Sequence, residues 1–371
     1  MNKTRILIID NSIAVTGAFK AILKSARDLQ PDFDFFFIIP KNGQTKNDIV
    51  KAGFSVEEFN MIEINKKFLS LLFYFPQLLI NAIKLKRTIS RLNISLVHVN
   101  DLYNLIPATA VCLGMRVPYI SHVRFLPNRF PKILFSTWMR IQLRFARKVI
   151  AVSQTLKKSL PNHWKIVMIY DGFPGEKKST DQTEKNETYK FLYLANFIKG
   201  KGQDYALTAF GKIHTQIPEW RLRFVGGDMG LPKNKIYVQE LRDQALKAGL
   251  SEKVEWSGFT EDVESEYRSA DIVINFSESE SFSMTCAEAL YYGIPQIASD
   301  SGGPAEIIDH NSTGLLVANR QIDQMAEAML KLATDAGLRE VMKENSVKSS
   351  HQKFSPEKTS AVLKELYRLS L

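Results

Sequence analysis

The chain has 371 residues, of which 45% are hydrophobic, 11% aromatic and 24% charged. That composition excludes intrinsic disorder and supplies apolar material for two domains rather than one. Its formal net charge of +10 is unevenly placed: residues 1–175 carry 25 Lys and Arg against 10 Asp and Glu, whereas residues 176–371 carry 24 against 29.

The first apolar run, 6–9, follows Lys3 and Arg5 but is far too short for the apolar region of a secretory signal, so 5–9 reads as a strand. Further strands are predicted over 35–39, 96–99, 119–122 and 149–152, with helical patterns over 17–29, 68–92, 105–113 and 133–146. Near-continuous apolar strands alternating with helices predict a parallel sheet covered on both faces. Asp32-Phe33-Asp34 has the spacing of a metal motif, but three residues are a weak signal and the segment reads as a polar turn. No apolar stretch reaches the ~20 residues that a spanning helix needs. The nearest, 68–83, is interrupted by Pro76 and Gln77 and flanked by Lys66, Lys67, Lys84, Lys86 and Arg87. Two readings of residues 66–91 stay open: a helix lying on an anionic membrane surface, or an ordinary domain helix with a basic outer face. Asn100 and Asp101, after the 96–99 strand, read either as acceptor contacts or as a turn cap. Arg124 is placed to meet an acceptor phosphate. Cys112 and Cys286 lie far apart in apolar surroundings without metal-ligand spacing and read as two buried, reduced thiols.

Residues 176–190 contain no large apolar residue except Tyr189 and read as a linker. The alternation then restarts, with strands over 191–195, 222–225, 254–257, 272–276, 296–298 and 315–317 and helices over 204–217, 237–248, 284–292 and 325–333. The predicted organisation is a domain over 1–175, the linker 176–190, a second domain over 191–354, and a final helix over 355–371. The densest polar chemistry lies between 277 and 317. Ser281 or Ser283 suits the N-cap of the helix at 284, and Gly293 with Pro295 suits its stop. The first amides of that helix form an anion site suited to a diphosphate. Glu280 and Glu288 flank it. They read either as solvated helix-start carboxylates or as acceptors for sugar and ribose hydroxyls. Ser301-Gly302-Gly303-Pro304 reads as a tight turn or as a close backbone approach to a ligand.

The run from Glu280 to Glu288, with Gly293-Ile-Pro295, Ser301-Gly-Gly-Pro-Ala-Glu306 and Gly314-Leu-Leu-Val317, resembles the E-x7-E signature of GT4-type retaining glycosyltransferases, the group 1 family with the GT-B fold. Lys201-Gly202, Phe224-Val-Gly-Gly227, Val254-Glu-Trp-Ser-Gly258-Phe259, Ala151-Val-Ser153, Ile169-Tyr-Asp171-Gly172 and Pro118-Tyr-Ile-Ser-His122 extend the likeness over nearly the whole chain. The resemblance implies an α/β architecture of two Rossmann-like domains facing each other across a cleft, the first binding the acceptor and the second the donor. It implies sugar transfer from a UDP or GDP sugar to a glycan or polyprenyl-linked acceptor, without metal or cofactor, and with the final helix packed back on the first domain. Glu280 would bind sugar hydroxyls, and the amides of Phe282, Ser283, Met284 and Thr285 the sugar and diphosphate. Glu288 would take the ribose, Lys201 the leaving diphosphate, and His122, alone among six histidines, the sugar and phosphate. Gly17, Gly227 and Phe259 would line the donor. Two positions depart from the pattern: Asn196 stands where an Arg is usual, with Lys199 as its substitute, and Ser283 stands where Gly is usual. The expected setting is cytoplasmic, on the inner face of a membrane, in cell-surface polysaccharide synthesis. Competing readings are a nucleotide-sugar epimerase of the same fold, a non-catalytic sugar-nucleotide sensor, or a basic nucleic-acid- or membrane-binding non-enzyme. An epimerase needs further acid/base carboxylates in the first domain, for which candidates are few. A nucleic-acid binder needs aromatics interleaved with Lys and Arg and is not favoured.

Overall fold

The computed structural model describes residues 3–41, 43–61, 68–172, 188–354 and 356–371. It divides into two compact units, Met1–Pro174 with Pro356–Leu371, and Gly175–Ser355. The first contains β1 (Thr4–Ile9), α1 (Gly17–Leu29), β2 (Phe33–Pro40), α2 (Lys46–Lys51), β3 (Ser55–Phe59), α3 (Phe68–Leu92), β4 (Leu96–Val99), α4 (Ile106–Cys112), β5 (Tyr119–Val123), α5 (Lys132–Phe145), β6 (Lys148–Ala151), α6 (Gln154–Ser159) and β7 (Ile166–Met168). The second contains β8 (Tyr189–Leu194), α7 (Gln203–Ile213), β9 (Trp220–Val225), α8 (Pro232–Lys247), β10 (Val254–Ser257), α9 (Val263–Arg268), β11 (Ile272–Asn275), α10 (Met284–Tyr292), β12 (Gln296–Ser299), α11 (Pro304–Ile307), β13 (Gly314–Val317), α12 (Ile322–Thr334) and α13 (Ala336–Lys353); α14 (Pro356–Ser370) returns to the first.

Both sheets are parallel, with strand orders β3-β2-β1-β4-β5-β6-β7 and β10-β9-β8-β11-β12-β13. Each order reverses direction once, between β1 and β4 and between β8 and β11. Ligands of such sheets bind beyond the strand carboxyl ends at that reversal. Those ends carry Asp10 and Asn100 in the first unit, and the 195–202 and 276–283 loops in the second.

Local chemistry explains the elements. In α1, Thr16 accepts from the Phe19 amide as N-cap, and Phe19, Ile22, Leu23, Ala26 and Leu29 bury one face at helical spacing. In α14, Leu363, Leu366 and Tyr367 enter the first unit's core, where the Tyr367 ring stands edge-on to Phe33 at 5.5 Å. Asp32 pairs with Lys364 of the same helix, at 2.6 Å, which gives the Asp-x-Asp match a structural use.

Four readings change. Strand β3, Ser-Val-Glu-Glu-Phe, is a half-polar edge strand and offers no apolar run; β7, with three residues, is the opposite edge. Helix α13 has no strongly apolar face and packs through Met342, Ser346 and Ser350, in a run that Val347 closes against Gly293. The 176–190 linker lies outside the described residues up to 187, and Tyr189 is already in β8. Cys286 is buried as expected, but Cys112 is exposed, because α4 buries Ile106, Pro107, Ala108 and Ala110 and ends with Cys112 turned outward.

Candidate active site

At the reversal of the second sheet three loops are stitched together. Tyr193, on β8, accepts from the Phe276 amide at 2.8 Å and donates to the Lys201 carbonyl. Ser277 donates to the same carbonyl at 3.2 Å, and Ser299 donates to the Ser277 carbonyl at 2.8 Å. Gly202 makes the crossing possible: its φ is +84°, and a Cβ there would stand 2.1 Å from the Phe276 carbonyl oxygen. The outcome is a close pair 79 residues apart in sequence, Lys201 Nζ to Glu280 Oε1 at 2.6 Å. Its side chains are 27% and 14% exposed, so it is neither a surface pair nor a buried one.

The turn at 301–303 holds the Glu280 loop from the other side. Glu280 N donates to the Ser301 carbonyl at 3.1 Å and Gly303 N to the Glu280 carbonyl at 2.8 Å. A Cβ on Gly303 would lie 2.1 Å from the Phe282 carbonyl oxygen. Gly303 thus lets one loop approach another, a use that neither reading of this turn anticipated. Phe282 packs its ring inward against Phe354.

Ser283 caps α10 at a φ of +80°, accepting from the Cys286 amide and from Asn275 Nδ2 at 3.0 Å. A serine held there carries strain that glycine would not. Met284 and Thr285 open the helix, and the Thr285 hydroxyl donates to the Leu194 carbonyl at 3.0 Å. Glu288, one turn in, is buried and accepts from the Tyr267 hydroxyl at 2.8 Å. The reading of it as a solvated helix-start carboxylate is therefore wrong. Asn196 accepts from the Gly227 amide at 3.3 Å and, through its carbonyl, from Gln203, so it supports the neighbouring backbone where a cation is usual. Lys199 is exposed. Phe259 is 49% exposed beside Gly227, whose Cβ position would meet Phe259 Cβ at 3.3 Å.

In the first unit, His122 on β5 is buried, with Nδ1 2.9 Å from His98 Nε2 and 3.3 Å from Arg124 Nη2. Sequence reasoning passed over His98. It lies on β4 beside β5, a register that only strand pairing reveals. Burial, then the Arg124 charge, pushes His98 down to about 3 and holds His122 well below the usual histidine range. Arg124 is not offered to an acceptor phosphate. Its Nη1 contacts both oxygens of Asp171 at 2.6 Å and its Nε donates to Asn100 Oδ1 at 2.7 Å. Asn100 in turn donates to Asp10 at 2.5 Å and is fully buried, so it too braces the fold. Gly17 is the first residue of α1, beside its Thr16 cap. Among the described residues no cluster of three or more His, Cys, Asp or Glu is placed to hold a metal ion.

Burial, reinforced by the Asp10 charge, pushes Asp101 up to about 8. The unfolded chain would ionise it near pH 4, so the native state holds an extra proton between about pH 4 and 8. Stability from this group is therefore lost as pH rises through that window. Asp101→Asn cannot ionise, and its Tm should fall less than wild type's between pH 5 and pH 8. Parallel Tm–pH curves for the two proteins would contradict this.

The model for "Glycosyltransferase Family 4" matches residues 17–174, and that for "Glycosyl transferases group 1" matches residues 175–349. An uncharacterized glycosyltransferase of Methanocaldococcus jannaschii is 26% identical over 60% of each chain. A GDP-mannose-dependent alpha-(1-6)-phosphatidylinositol monomannoside mannosyltransferase of Mycobacterium tuberculosis is 30% identical over 38% of this chain and 37% of its own. The chain thus spans less than two thirds of the curated relatives it first matches. Among solved structures, Anabaena HepE in complex with UDP and glucose superposes with a TM-score of 0.82 at 21% identity, covering 98% of this chain and 99% of that one. Sucrose-phosphate synthase from Thermosynechococcus elongatus gives 0.81 at 17% identity and 99% of both chains. The fold is therefore GT-B, two Rossmann-like α/β units, as the resemblance implied. With one model matching each half, the chain belongs to the group 1 glycosyltransferases of the family 4 type.

Proposed function

We propose that this protein moves a sugar from a nucleoside-diphosphate donor to a hydroxyl of a glycan or lipid-linked glycan, with retention at the anomeric carbon and without a metal ion. The observation that carries the reading is the Lys201–Glu280 pair at the sheet reversal, in the segment that also holds the capped N-terminus of α10 and buried Glu288. The bond from the anomeric carbon to the diphosphate breaks, and one to the acceptor oxygen forms on the same face. The acceptor proton passes to the departing diphosphate. Lys201 and the amides of Phe282, Ser283, Met284 and Thr285 take up the charge that develops on that group. Glu280 accepts hydrogen bonds from the transferred sugar, and Glu288 from the ribose. In the first unit His122 donates to the sugar and its phosphate, and Gly17 keeps the backbone low there. Asn196, Gly227 and Phe259 border the base. The HepE complexes with UDP, UDP-glucose and glucose support a nucleotide-sugar donor for this fold.

The test is incubation with UDP- and GDP-sugars and a lipid-linked acceptor, with the product's anomeric configuration read by NMR. A product of inverted configuration, or turnover that needs a divalent cation, would sink the mechanism. Glu288→Ala should weaken nucleoside diphosphate binding at least tenfold, since about 1.5–3 kcal/mol attends a hydrogen bond to a charged group. Unchanged affinity in a calorimetric titration would remove the ribose assignment.

The acceptor reading rests partly on α3. Phe73 and Phe75 are 60% and 70% exposed, Leu79, Ile80 and Ile83 are exposed as well, and Lys84 and Arg87 lie beside them. No helix among the described residues is long and apolar enough to cross a membrane. Lys66, Lys67 and the side chains up to 72 lie outside the described residues. An exposed apolar face rimmed by cations fits a peripheral position on an anionic lipid surface, such as the cytoplasmic face of a membrane. The protein should bind vesicles of anionic lipid and ignore zwitterionic ones. Lys84→Glu with Arg87→Glu should lower that partitioning more than tenfold, at about 1 kcal/mol for each charge near the surface. Equal binding to both vesicle types would refute it.

A further inference from the structure

The buried end of the first unit contains a polar chain of which the donor reading uses only His122. Tyr367, on α14, places its hydroxyl 2.7 Å from His98 Nδ1, and His98 Nε2 lies 2.9 Å from His122 Nδ1. The three side chains are buried, two of them fully. Nothing outside the chain of hydrogen bonds therefore compensates a wrongly placed proton.

Its direction follows from Arg124. A guanidinium only donates, and its Nη2 points at His122 Nδ1 from 3.3 Å while Asp171 and Asn100 hold the rest of the group. His122 Nδ1 is then an acceptor. His98 Nε2 must donate to it, His98 Nδ1 must be bare, and the Tyr367 hydroxyl must donate there. The opposite direction would set an N–H of His122 against an N–H of Arg124. Both histidines are kept neutral by burial and by Arg124, so each ring has one proton to place.

We propose that Tyr367 is a positioning residue: with Arg124 setting the direction, its hydroxyl satisfies His98 Nδ1 and so, through His98, holds His122 in the tautomer that carries its proton on Nε2, the ring atom left to address a ligand. His122 is thereby a permanent hydrogen-bond donor, suited to an anionic phosphate oxygen or a sugar oxygen and unsuited to accept a proton. The consequence for catalysis rests on the donor-site reading; the tautomer itself does not. The helix that closes the chain thus sets the chemistry of a residue 245 positions earlier in sequence.

The test is nitrogen NMR of ring-labelled histidine in the ligand-free full chain. Wild type should show His122 Nε2 as the protonated, pyrrole-type nitrogen and Nδ1 as the bare, pyridine-type one. Tyr367→Phe keeps the ring in the core but removes the donor, and the two His122 signals should move toward each other. His98→Gln places an amide N–H where His98 Nε2 was, and should restore the wild-type pattern. In that background Tyr367→Phe should change nothing, because an amide nitrogen donates without instruction. Once a donor sugar is known, Tyr367→Phe should lower kcat by about tenfold, the scale of one hydrogen bond. A proton on His122 Nδ1 in wild type, or a Tyr367→Phe effect of equal size in the wild-type and His98→Gln backgrounds, would overturn the proposal. Failure of every nucleotide to bind would instead strike the donor reading and leave the tautomer standing.

Discussion

Lys201→Ala is expected to lower kcat by about 10²–10³-fold while shifting Tm by only a few degrees. Two effects of the substitution compete for notice. The first is loss of the cation proposed to face the leaving diphosphate. Removing one such preorganised group costs about 2.7–4 kcal/mol of transition-state stabilisation. The second is loss of the ion pair with Glu280. That pair is partly solvated, at 27% and 14% exposure, and pairs of this kind contribute about 0–1 kcal/mol. The catalytic term wins by several-fold, so activity should collapse before stability does. Lys201→Arg keeps the charge but replaces a compact ammonium with a planar fork, and should recover only part of the rate. If Lys201→Ala lost many degrees of Tm and little activity, Lys201 would be a structural ion-pair partner and nothing more.

Gly303→Ala is expected to be among the most damaging single-methyl changes in the second unit. The new Cβ would lie 2.1, 2.3 and 2.4 Å from the Phe282 carbonyl oxygen, carbonyl carbon and Cα, all backbone atoms that cannot swing aside. Overpacking of this kind costs about 3 kcal/mol or more. In a domain of this size that is roughly 6–12 °C of Tm. The backbone conformation is not the cause, since Gly303 has an ordinary helical φ of −55°. Gly230→Ala separates the two effects: its φ is +70° but nothing stands within 4 Å of its Cβ position. It should cost about 1 kcal/mol. Gly303→Ala should also lower activity, because separating the two loops withdraws the Gly303 amide from the Glu280 carbonyl and moves the carboxylate that pairs with Lys201. Equal Tm losses in the two variants would refute the packing argument.

What the sequence could reveal depended on distance along the chain. Helix α10 was legible to the residue, because Ser283, Gly293 and Pro295 are local punctuation and the structure uses the first two as caps. The parallel sheets were legible because their strands are buried on both faces and so read as apolar runs. Edge strand β3 and polar helix α13 were not, since neither carries the apolar pattern that betrays a buried element. The site divides the same way. Glu280, Ser283 and Glu288 share one short segment and announced themselves together. The pairing of Lys201 with Glu280, of Arg124 with Asp171, and of His98 with Tyr367 joins residues 79, 47 and 269 positions apart. Only the fold brings such groups into contact. Arg124 shows the cost of reading a charge without its partner: in sequence it is a cation available to a phosphate, and in the structure it is neutralised by Asp171 and organises the histidines.

Calorimetric titration of the ligand-free protein with UDP and GDP, without added metal, tests the proposed donor site of the second unit most directly. One of the two should bind to wild type, at least tenfold more weakly to Glu288→Ala, and more weakly to Lys201→Ala. Binding of neither nucleotide, or equal affinity across the three proteins, would contradict it.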